Sequence, residues 1–98
     1  MKSLTPAQRQ FLKAQAHTRQ PVVMIGNQGL TEAVMKEIER ALGAHELVKI
    51  KAASDELETR RAWMESICTA TQALAVQQIG KILVIYRRAD KPVITLPG

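Results

Sequence analysis

Two glycines stand three residues apart in the tetrapeptide Gly26-Asn27-Gln28-Gly29, between an apolar stretch and a helical pattern. A loop that leaves a strand and enters a helix can turn several backbone N–H groups towards an anion, and the helix N-terminus adds unpaired donors and its positive dipole end. Glycine suits such a loop because a Cβ would block close approach or forbid positive φ. Phosphate binding is one interpretation of this spacing, and a plain strand-to-helix turn is the other.

The spacing excludes two stronger phosphate motifs. The dinucleotide fingerprint needs G-x-G-x-x-G within a larger βαβ domain. The P-loop needs a lysine directly after its last glycine, whereas Leu30 and Thr31 follow Gly29 here. We therefore expect no nucleotide-hydrolysing site. The arrangement is similar to the GxxG loop of KH domains, which clamps a nucleic-acid backbone.

Basic side chains accompany this loop along the chain. The 98 residues carry a net charge of +5 with a sequence pI near 9.8, which favours an anionic partner, with nucleic acid first among the candidates. Any one of these charges could be an ordinary solvated side chain, but several near one phosphate-ready loop favour a binding surface. Besides the four loop residues, the candidate contacts are Arg9, Lys13, Arg19, Lys36, Lys49, Lys51 and Arg87.

Candidates for catalysis or metal binding are few. His17, His45 and Cys68 are the only imidazoles and the only thiol, and their wide spacing matches no zinc pattern. Cys68 falls on the apolar side of a predicted helix, which favours a packed core thiol over a nucleophile. The carboxylates lie at predicted helix starts or on polar helix faces. Several can form ion pairs with a basic residue one turn away, as Glu32 can with Lys36. We expect no enzyme activity, no metal and no cofactor.

Composition sets limits on the fold and the location. A chain of this length is expected to form one domain over residues 1–98, and 46% hydrophobic residues can build a core. Only 3% are aromatic, so the core must be mainly aliphatic. We expect Trp63 at the margin of this core, and the alternative role for its side chain is stacking on a nucleic-acid base. One cysteine, no apolar run of membrane-spanning length and no secretory signal predict a cytoplasmic protein without a membrane partner.

The first half of the chain must position the loop. Thr5 and Gln8 form a predicted capping box that opens a helix reaching about residue 17. The apolar run 22–25 predicts a central strand buried on both faces. Thr31 is the predicted N-cap of the second helix, which Gly43 is expected to end as a left-handed residue.

A strand and a helix follow in the second half. The alternation in "ELVKIKAA" predicts a strand whose one buried face carries Val48 and Ile50. Asp55 and Glu58 form a second predicted capping box, which opens a helix over about 55–71.

The last strands complete the predicted sheet. "ALAVQQI" and "ILVIYRR" predict an antiparallel hairpin joined tightly at Gly80-Lys81, and "VITL" predicts a short edge strand at 93–96. The order is then α-β-α-β-α-β-β. We predict an α/β fold in which helices pack on one mixed four-stranded sheet.

Three blocks of this chain, "PVVMIGNQGLTEAVMKEIERAL", "HELVKIK" and "QQIGKILVIYRR", resemble the CRM domain, the chloroplast-splicing and ribosome-maturation module. The resemblance runs from Leu4 to Leu96 and is nearest to the stand-alone bacterial YhbY-type members. It implies the same element order and a fold similar to the C-terminal domain of bacterial translation initiation factor three. It also places the family's GxxG loop at 26–29 and its basic first-helix surface at Arg9 and Lys13.

The resemblance implies RNA binding without catalysis. Bacterial members are associated with precursors of the large ribosomal subunit, and plant relatives carry several copies and assist intron splicing. We therefore expect a monomer that binds ribosomal RNA of the large (50S) subunit precursor and has no small-molecule substrate. The alternative is a protein-interaction module that joins a partner through the predicted edge strand at 93–96.

Two positions depart from the family pattern. Many relatives place Lys or Arg inside the loop, whereas Asn27 and Gln28 stand here, so backbone donors and neighbouring side chains must carry phosphate binding. A glycine often follows the third helix, and Gln72 stands in that place. A left-handed C-cap costs more with glutamine than with glycine.

Overall fold

The computed structural model describes residues 3–98, and its helices and strands follow the predicted order. The sheet order is β1-β2-β4-β3, in which β1 runs parallel to β2 while β4 is antiparallel to both of its neighbours. The prediction of an α/β fold with a mixed four-stranded sheet is confirmed. The elements are α1 (Pro6–His17), β1 (Val23–Ile25), α2 (Glu32–His45), β2 (Leu47–Ala52), α3 (Leu57–Thr71), β3 (Leu74–Ile79) and β4 (Ile82–Tyr86).

The helices cover the two faces of the sheet separately. Helices α2 and α3 pack on one face, termed the α2/α3 face, where Ile38, Leu42 and Ile67 meet buried aliphatic side chains of the strands. Helix α1 packs on the other, termed the α1 face, where Leu12 and Ala16 are buried. The core is mainly aliphatic, as the scarcity of aromatic residues predicts, although Tyr86 is fully buried in its α1-face part.

Two of the three predicted helix starts are confirmed. Thr5 Oγ1 accepts the Gln8 N–H at 3.1 Å and Gln8 Oε1 accepts the Thr5 N–H at 3.1 Å, which completes the capping box. Thr31 Oγ1 accepts the Val34 N–H at 3.2 Å. These caps form because each pair lies within one helical turn and needs no distant partner.

The predicted capping box at the start of α3 is wrong. The helix begins only at Leu57, and its N-cap Glu56 makes no side-chain cap. Asp55 therefore lies one position too early to cap, and its carboxylate instead lies 2.7 Å from Lys81 Nζ in the β3–β4 turn. This contact ties the start of α3 to the hairpin.

Strand β1 is an edge strand, so the prediction of a central strand buried on both faces is wrong. It pairs only with β2, and Val23 and Ile25 are buried while Met24 between them is 56% exposed. The run of apolar residues predicts a strand correctly, but it does not say how many neighbours that strand has. Met24 consequently points to the α1 face, where no neighbour buries it.

Strand β2 is covered on both faces over part of its length. Val48 and Ile50 are buried on the α2/α3 face as predicted. Leu47 is also buried, in the α1-face core, and Lys49 is half-buried. The predicted single buried face is therefore only partly correct, because α1 lies across the first half of the strand.

The ends of α2 and α3 depart from the glycine rule in both cases. Helix α2 continues through Gly43 to His45, and Glu46 takes the positive φ of 63°. The expectation that Gly43 ends this helix is wrong. Helix α3 ends at Thr71, and its C-cap Gln72 is left-handed with a φ of 61° and a ψ of 27°, although glutamine favours this conformation less than the glycine that relatives often carry there.

Gly43→Ala is expected to raise the free energy of unfolding by about 0.5–1 kcal/mol, because alanine is the better residue inside a helix. Nothing lies within 4 Å of the position that its Cβ would take. Gly80→Ala is the matched control, since its Cβ site is equally open but its φ is +53°; this variant is expected to cost roughly 1 kcal/mol. Urea unfolding measures both, and destabilisation by Gly43→Ala would contradict the helical assignment.

The C-terminal segment, residues 88–98, forms no strand, so the predicted edge strand at 93–96 is wrong. The backbone N–H groups of Ala89, Val93 and Ile94 donate to the carboxylate of Glu46 at 2.8, 2.7 and 2.8 Å. Gln8 Nε2 donates to Pro97 O at 3.1 Å. The segment is thus tied to a buried side chain and to α1 rather than to a neighbouring strand.

Across residues 3–98, no helix combines the length and the apolar character needed to cross a membrane.

Candidate nucleic-acid interface

The loop between β1 and α2 is a tight turn. Gly29 N–H donates to Gly26 O at 3.0 Å, and Thr31 N–H donates to Gly29 O at 3.0 Å. Asn27 and Gln28 avoid positive φ, whereas Gly29 has a φ of +73°. This pattern is typical of a type I turn with glycine in its fourth position. The turn interpretation is therefore correct, and it leaves anion binding open.

The same turn leaves several backbone donors free. Within residues 3–98, the N–H groups of Asn27 and Gln28 have no protein acceptor, and neither do those of Glu32 and Ala33 in the first turn of α2. These groups lie at the positive end of the α2 dipole. An anion seated on the loop would find unpaired donors on both sides of Gly29.

The two glycines are present for different reasons. Gly29 needs its left-handed backbone, and its Cβ would stand 3.6 Å from the indole of Trp63. Gly26 has no positive φ, and nothing lies within 4 Å of the position that its Cβ would take. Within residues 3–98, neither a steric contact nor a positive φ requires a glycine at position 26.

Trp63 lies half-buried beside this loop. Its ring packs against the α2/α3-face core, which confirms the prediction that places it at the core margin.

Charge is distributed unevenly between the two faces of the sheet. Residues 1–31, which include α1, contain no Asp or Glu. Helices α2 and α3 carry exposed carboxylates, among them Glu32, Glu37 and Glu65. Helix α1 therefore contributes positive charge and no negative charge to its side of the sheet, which favours a polyanion there.

A cleft of about 400 Å³ opens between α1 and the part of the sheet that α1 leaves uncovered; we term it the α1 cleft. One wall is the helical stripe Gln10, Lys13 and His17, which lie on one face because they are separated by one turn. Ile79 and Ile82 line the opposite side. None of the residues that line this cleft is acidic.

Three of the predicted basic residues lie in or beside the α1 cleft. Lys13 and Lys49 line it, and Lys51 is exposed two positions further along β2. Lys49 Nζ also donates to Ala16 O at 3.1 Å and to Arg19 O at 3.0 Å, so it closes the C-terminus of α1. An ammonium group has three donors, and one remains for a ligand.

Two arginines of the predicted set attach α1 to the sheet. Arg9 Nη1 donates to Ala75 O at 2.5 Å and to Val76 O at 3.1 Å, where the register of β3 shifts. Arg19 Nη1 donates to Leu47 O at 3.1 Å. Each guanidinium keeps further N–H donors, so phosphate contact by either stays a prediction.

Lys36 and Arg87 lie away from the α1 cleft. Lys36 Nζ is 3.3 Å from Glu32 Oε1 in an exposed pair on α2, which adds little to stability. Arg87 follows β4 at the sheet end opposite the loop, where it pairs with Glu39 and donates to Thr71 O at 3.1 Å. Its hydrogen bond lowers the pKa of Glu39. RNA contact by these two residues also stays a prediction.

The structure adds a set of residues that sequence reasoning missed. Met24 pairs with Lys51, Lys51 pairs with Ile82, and Ile82 pairs with Ile79. These four side chains form one row across all four strands on the α1 face; we term it the sheet row. No local signal reveals it, because strand order decides which residues become neighbours.

The groups considered for catalysis are not assembled into a site. Cys68 is half-buried with its Sγ 3.9 Å from Met64 Sδ, and burial raises the pKa of its thiol, which favours the unreactive form. His17 lines the α1 cleft, while His45 is exposed at the end of α2. In the described part of the chain, no three His, Cys, Asp or Glu side chains are grouped to hold a metal ion.

Fold and surface together define a class of protein: a small α/β domain with a glycine loop and a basic cleft that no carboxylate lines. The chain belongs to the CRS1/YhbY (CRM) domain family, whose model matches residues 4–87. The resemblance to this family is therefore confirmed.

Individual relatives agree with this assignment. The chain is 48% identical over 97 residues to the "RNA-binding protein" of Haemophilus influenzae, covering 99% of this chain and 98% of that protein. It is 41% identical over 90 residues to "Probable RNA-binding protein PA4753" of Pseudomonas aeruginosa, covering 92% and 86%. The solution structure of a hypothetical protein from Staphylococcus aureus superposes with a TM-score of 0.84 at 33% identity, covering 96% of this chain and 99% of that one.

Proposed function

We propose that this protein is a non-catalytic RNA-binding domain spanning residues 1–98, which acts as a cytoplasmic monomer on ribosomal RNA in precursors of the large ribosomal subunit. The observation that carries RNA binding is the loop 26–29, with free N–H donors, on the same domain as a basic cleft that no carboxylate lines. The relatives from Haemophilus influenzae and Pseudomonas aeruginosa are named as RNA-binding proteins, which supports the same class of ligand.

The backbone and the side chains would make different contributions to RNA binding. The free N–H groups of Asn27 and Gln28 and those of the first turn of α2 would hold a phosphate, because backbone donors there have no other partner. The loop itself carries no charge, so Lys13 and Lys51 would supply the long-range attraction. Phosphate contacts release counterions, and affinity should fall steeply as salt rises.

The ribosomal part of the proposal is supported by family membership rather than by geometry. A loop that holds phosphate and a basic face suit many RNAs equally well, because neither reads a base sequence. Large-subunit precursors are the RNAs with which bacterial members of this family are associated. The alternative of a protein-interaction module loses its predicted edge strand, since the N–H groups of Val93 and Ile94 donate to Glu46.

Sucrose-gradient fractionation of cell lysate, with and without ribonuclease, tests this proposal. The protein is expected to co-migrate with large-subunit precursors in untreated lysate and to return to the top of the gradient after digestion. A complex that survives digestion would favour a protein partner. Migration at the top in both samples would contradict association with ribosomal precursors.

A further inference from the structure

We propose that the α1 cleft and the sheet row bind an unpaired nucleotide, with the base against Ile79 and Ile82 and neighbouring phosphates on Lys13 and Lys51. This inference rests on the proposed RNA binding and adds to it the form of the RNA, a single-stranded segment rather than a duplex. The loop 26–29 would hold a phosphate further along the same strand.

The exposure of the sheet row is the first argument. Met24 is 56% exposed and Ile79 is 59% exposed, although both are large apolar side chains within strands. Scattered exposed apolar residues are ordinary, but these two belong to one row of paired residues on the same face. The row therefore places Ile79 beside Ile82 as an apolar pair, with Lys51 between this pair and Met24.

The shape of the α1 cleft is the second argument. Its volume of about 400 Å³ falls within the range of about 300–1,000 Å³ that is typical of small-ligand sites. Gln10 on the helix and Gln77 on the sheet both line it, and their amides can donate to and accept from the edge of a base. Bases of a duplex are stacked inside the helix and cannot reach such a site, whereas unpaired bases can be splayed out.

The charge around the cleft is the third argument. Lys13, His17 and Lys49 line it, and no carboxylate does, so the occupant should carry negative charge along with an apolar surface. A nucleotide combines these two properties in one unit. Isoleucine and methionine provide contact area for a base without the stacking that aromatic side chains would add.

Continuity with the loop selects RNA over an acidic peptide. Met24 lies two residues before Gly26, a distance of about 7 Å along the strand at roughly 3.3 Å per residue. Ile82 lies two strands from Met24, about 10 Å at roughly 4.8 Å per strand, so a base on Ile79 and Ile82 and a phosphate on the loop can belong to one extended strand that follows the sheet row. An acidic peptide would use the basic rim but leave the free N–H groups of the loop unexplained.

A short oligouridylate carrying a 4-thiouridine tests the proposal, compared with the same strand annealed to its complement. The single strand is expected to bind more tightly than the duplex by about 10-fold, and ultraviolet crosslinks should map to the peptides that contain Met24, Ile79 or Ile82. Equal affinity for the two forms, or crosslinks that map elsewhere, would overturn the proposal.

Ile79→Glu is the matching variant, and Val93→Glu is its control. Both side chains are exposed, Ile79 at 59% and Val93 at 72%, so both variants should fold and both add the same charge. Ile79→Glu should weaken oligouridylate binding by roughly 10-fold, because it places a carboxylate against the base and phosphates. Val93→Glu, on the C-terminal segment, should change affinity by less than about 2-fold.

The outcomes separate this inference from the proposed function. If wild-type protein binds neither single strand nor duplex, RNA binding itself fails. If it binds RNA and Ile79→Glu binds equally well, RNA binding stands and the α1 cleft is not the base site. If Ile79→Glu keeps full RNA affinity but loses a ribonuclease-resistant complex in lysate, the cleft belongs to a protein partner and the inference is overturned.

Discussion

Gly26→Val is expected to lower RNA affinity by about 100-fold and Gly26→Ala by about 10-fold, while both leave the free energy of unfolding within about 1 kcal/mol of wild type. The position permits a side chain in the free protein, because its φ lies outside the left-handed region and its Cβ site is open. A phosphate on the free N–H groups of the loop would meet that side chain. The loss should therefore grow with the size of the residue.

Two further variants separate steric from electrostatic effects in the same titration. Lys13→Gln removes a charge from the α1 cleft, so the dependence of log affinity on log salt should flatten by about 0.7–0.9. Gly26→Val removes no charge and should leave that slope almost unchanged. Gly43→Ala, remote from the loop on α2, controls for the added methyl group. Wild-type affinity in Gly26→Val would mean that the loop is only a turn.

Glu46→Ala is expected to lower the free energy of unfolding by roughly 3 kcal/mol. The Glu46 carboxylate is fully buried and accepts three backbone N–H groups of the C-terminal segment. Each buried donor left without an acceptor costs about 1–3 kcal/mol. The total loss of stability is limited, because the C-terminal segment can detach and expose those donors to water. Detachment has its own cost, since it would uncover the apolar side chains of Ile94 and Leu96. Urea unfolding measures the loss.

Hydrogen exchange locates the effect of this substitution. The amides of Ala89, Val93 and Ile94 should exchange much faster in Glu46→Ala, whereas those of β2 and β4 should stay protected. Glu46→Gly is a useful companion, because glycine accepts the φ of 63° without strain and should recover about 1 kcal/mol. Unchanged exchange at these three amides would show that the carboxylate does not hold the segment.

The same carboxylate makes stability depend on pH. Burial opposes its charge, but the N–H groups of Ala89, Ile94 and Val93 outweigh burial and hold the pKa of Glu46 below its ordinary value of 4.5. A carboxyl group with a lowered pKa in the folded state stabilises the fold above the unfolded-state pKa. That contribution is lost as pH falls below 4.5 and through the folded-state pKa. Glu46→Ala should therefore lose less stability than wild type across this acidic range.

Local sequence determined the features that depend on residues within one turn of each other. The capping box of Thr5 with Gln8, the cap at Thr31 and the tight turn at Gly80 were all predictable, because each needs only neighbouring residues. The four loop residues belong to the same group, since the turn that leaves their donors free is closed within the loop itself. The left-handed C-cap at Gln72 was not determined in this way, because glutamine favours that conformation less than glycine does.

At three other places, contacts between residues far apart in the chain made the prediction from local sequence wrong. Gly43 has the residue type of a helix end, but the helix continues because Glu46 finds its partners more than forty positions away. Asp55 has the residue type of a cap, but Lys81 holds its carboxylate. The segment 93–96 has the pattern of a strand, but a buried side chain takes its N–H groups. In each case a long-range contact outweighed the local conformational preference, and the local sequence pattern does not reveal that contact.

By itself, the sequence determined the α/β fold, the loop 26–29 and the positive charge that surrounds it. Only the tertiary structure decided that β1 lies at the edge, that α1 covers half of one sheet face, and that the uncovered half carries the row from Met24 to Ile79. The physical reason is that loop geometry arises from backbone dihedrals within a few residues. The cleft instead arises from strand order and helix placement, which are set by packing among residues far apart in the chain.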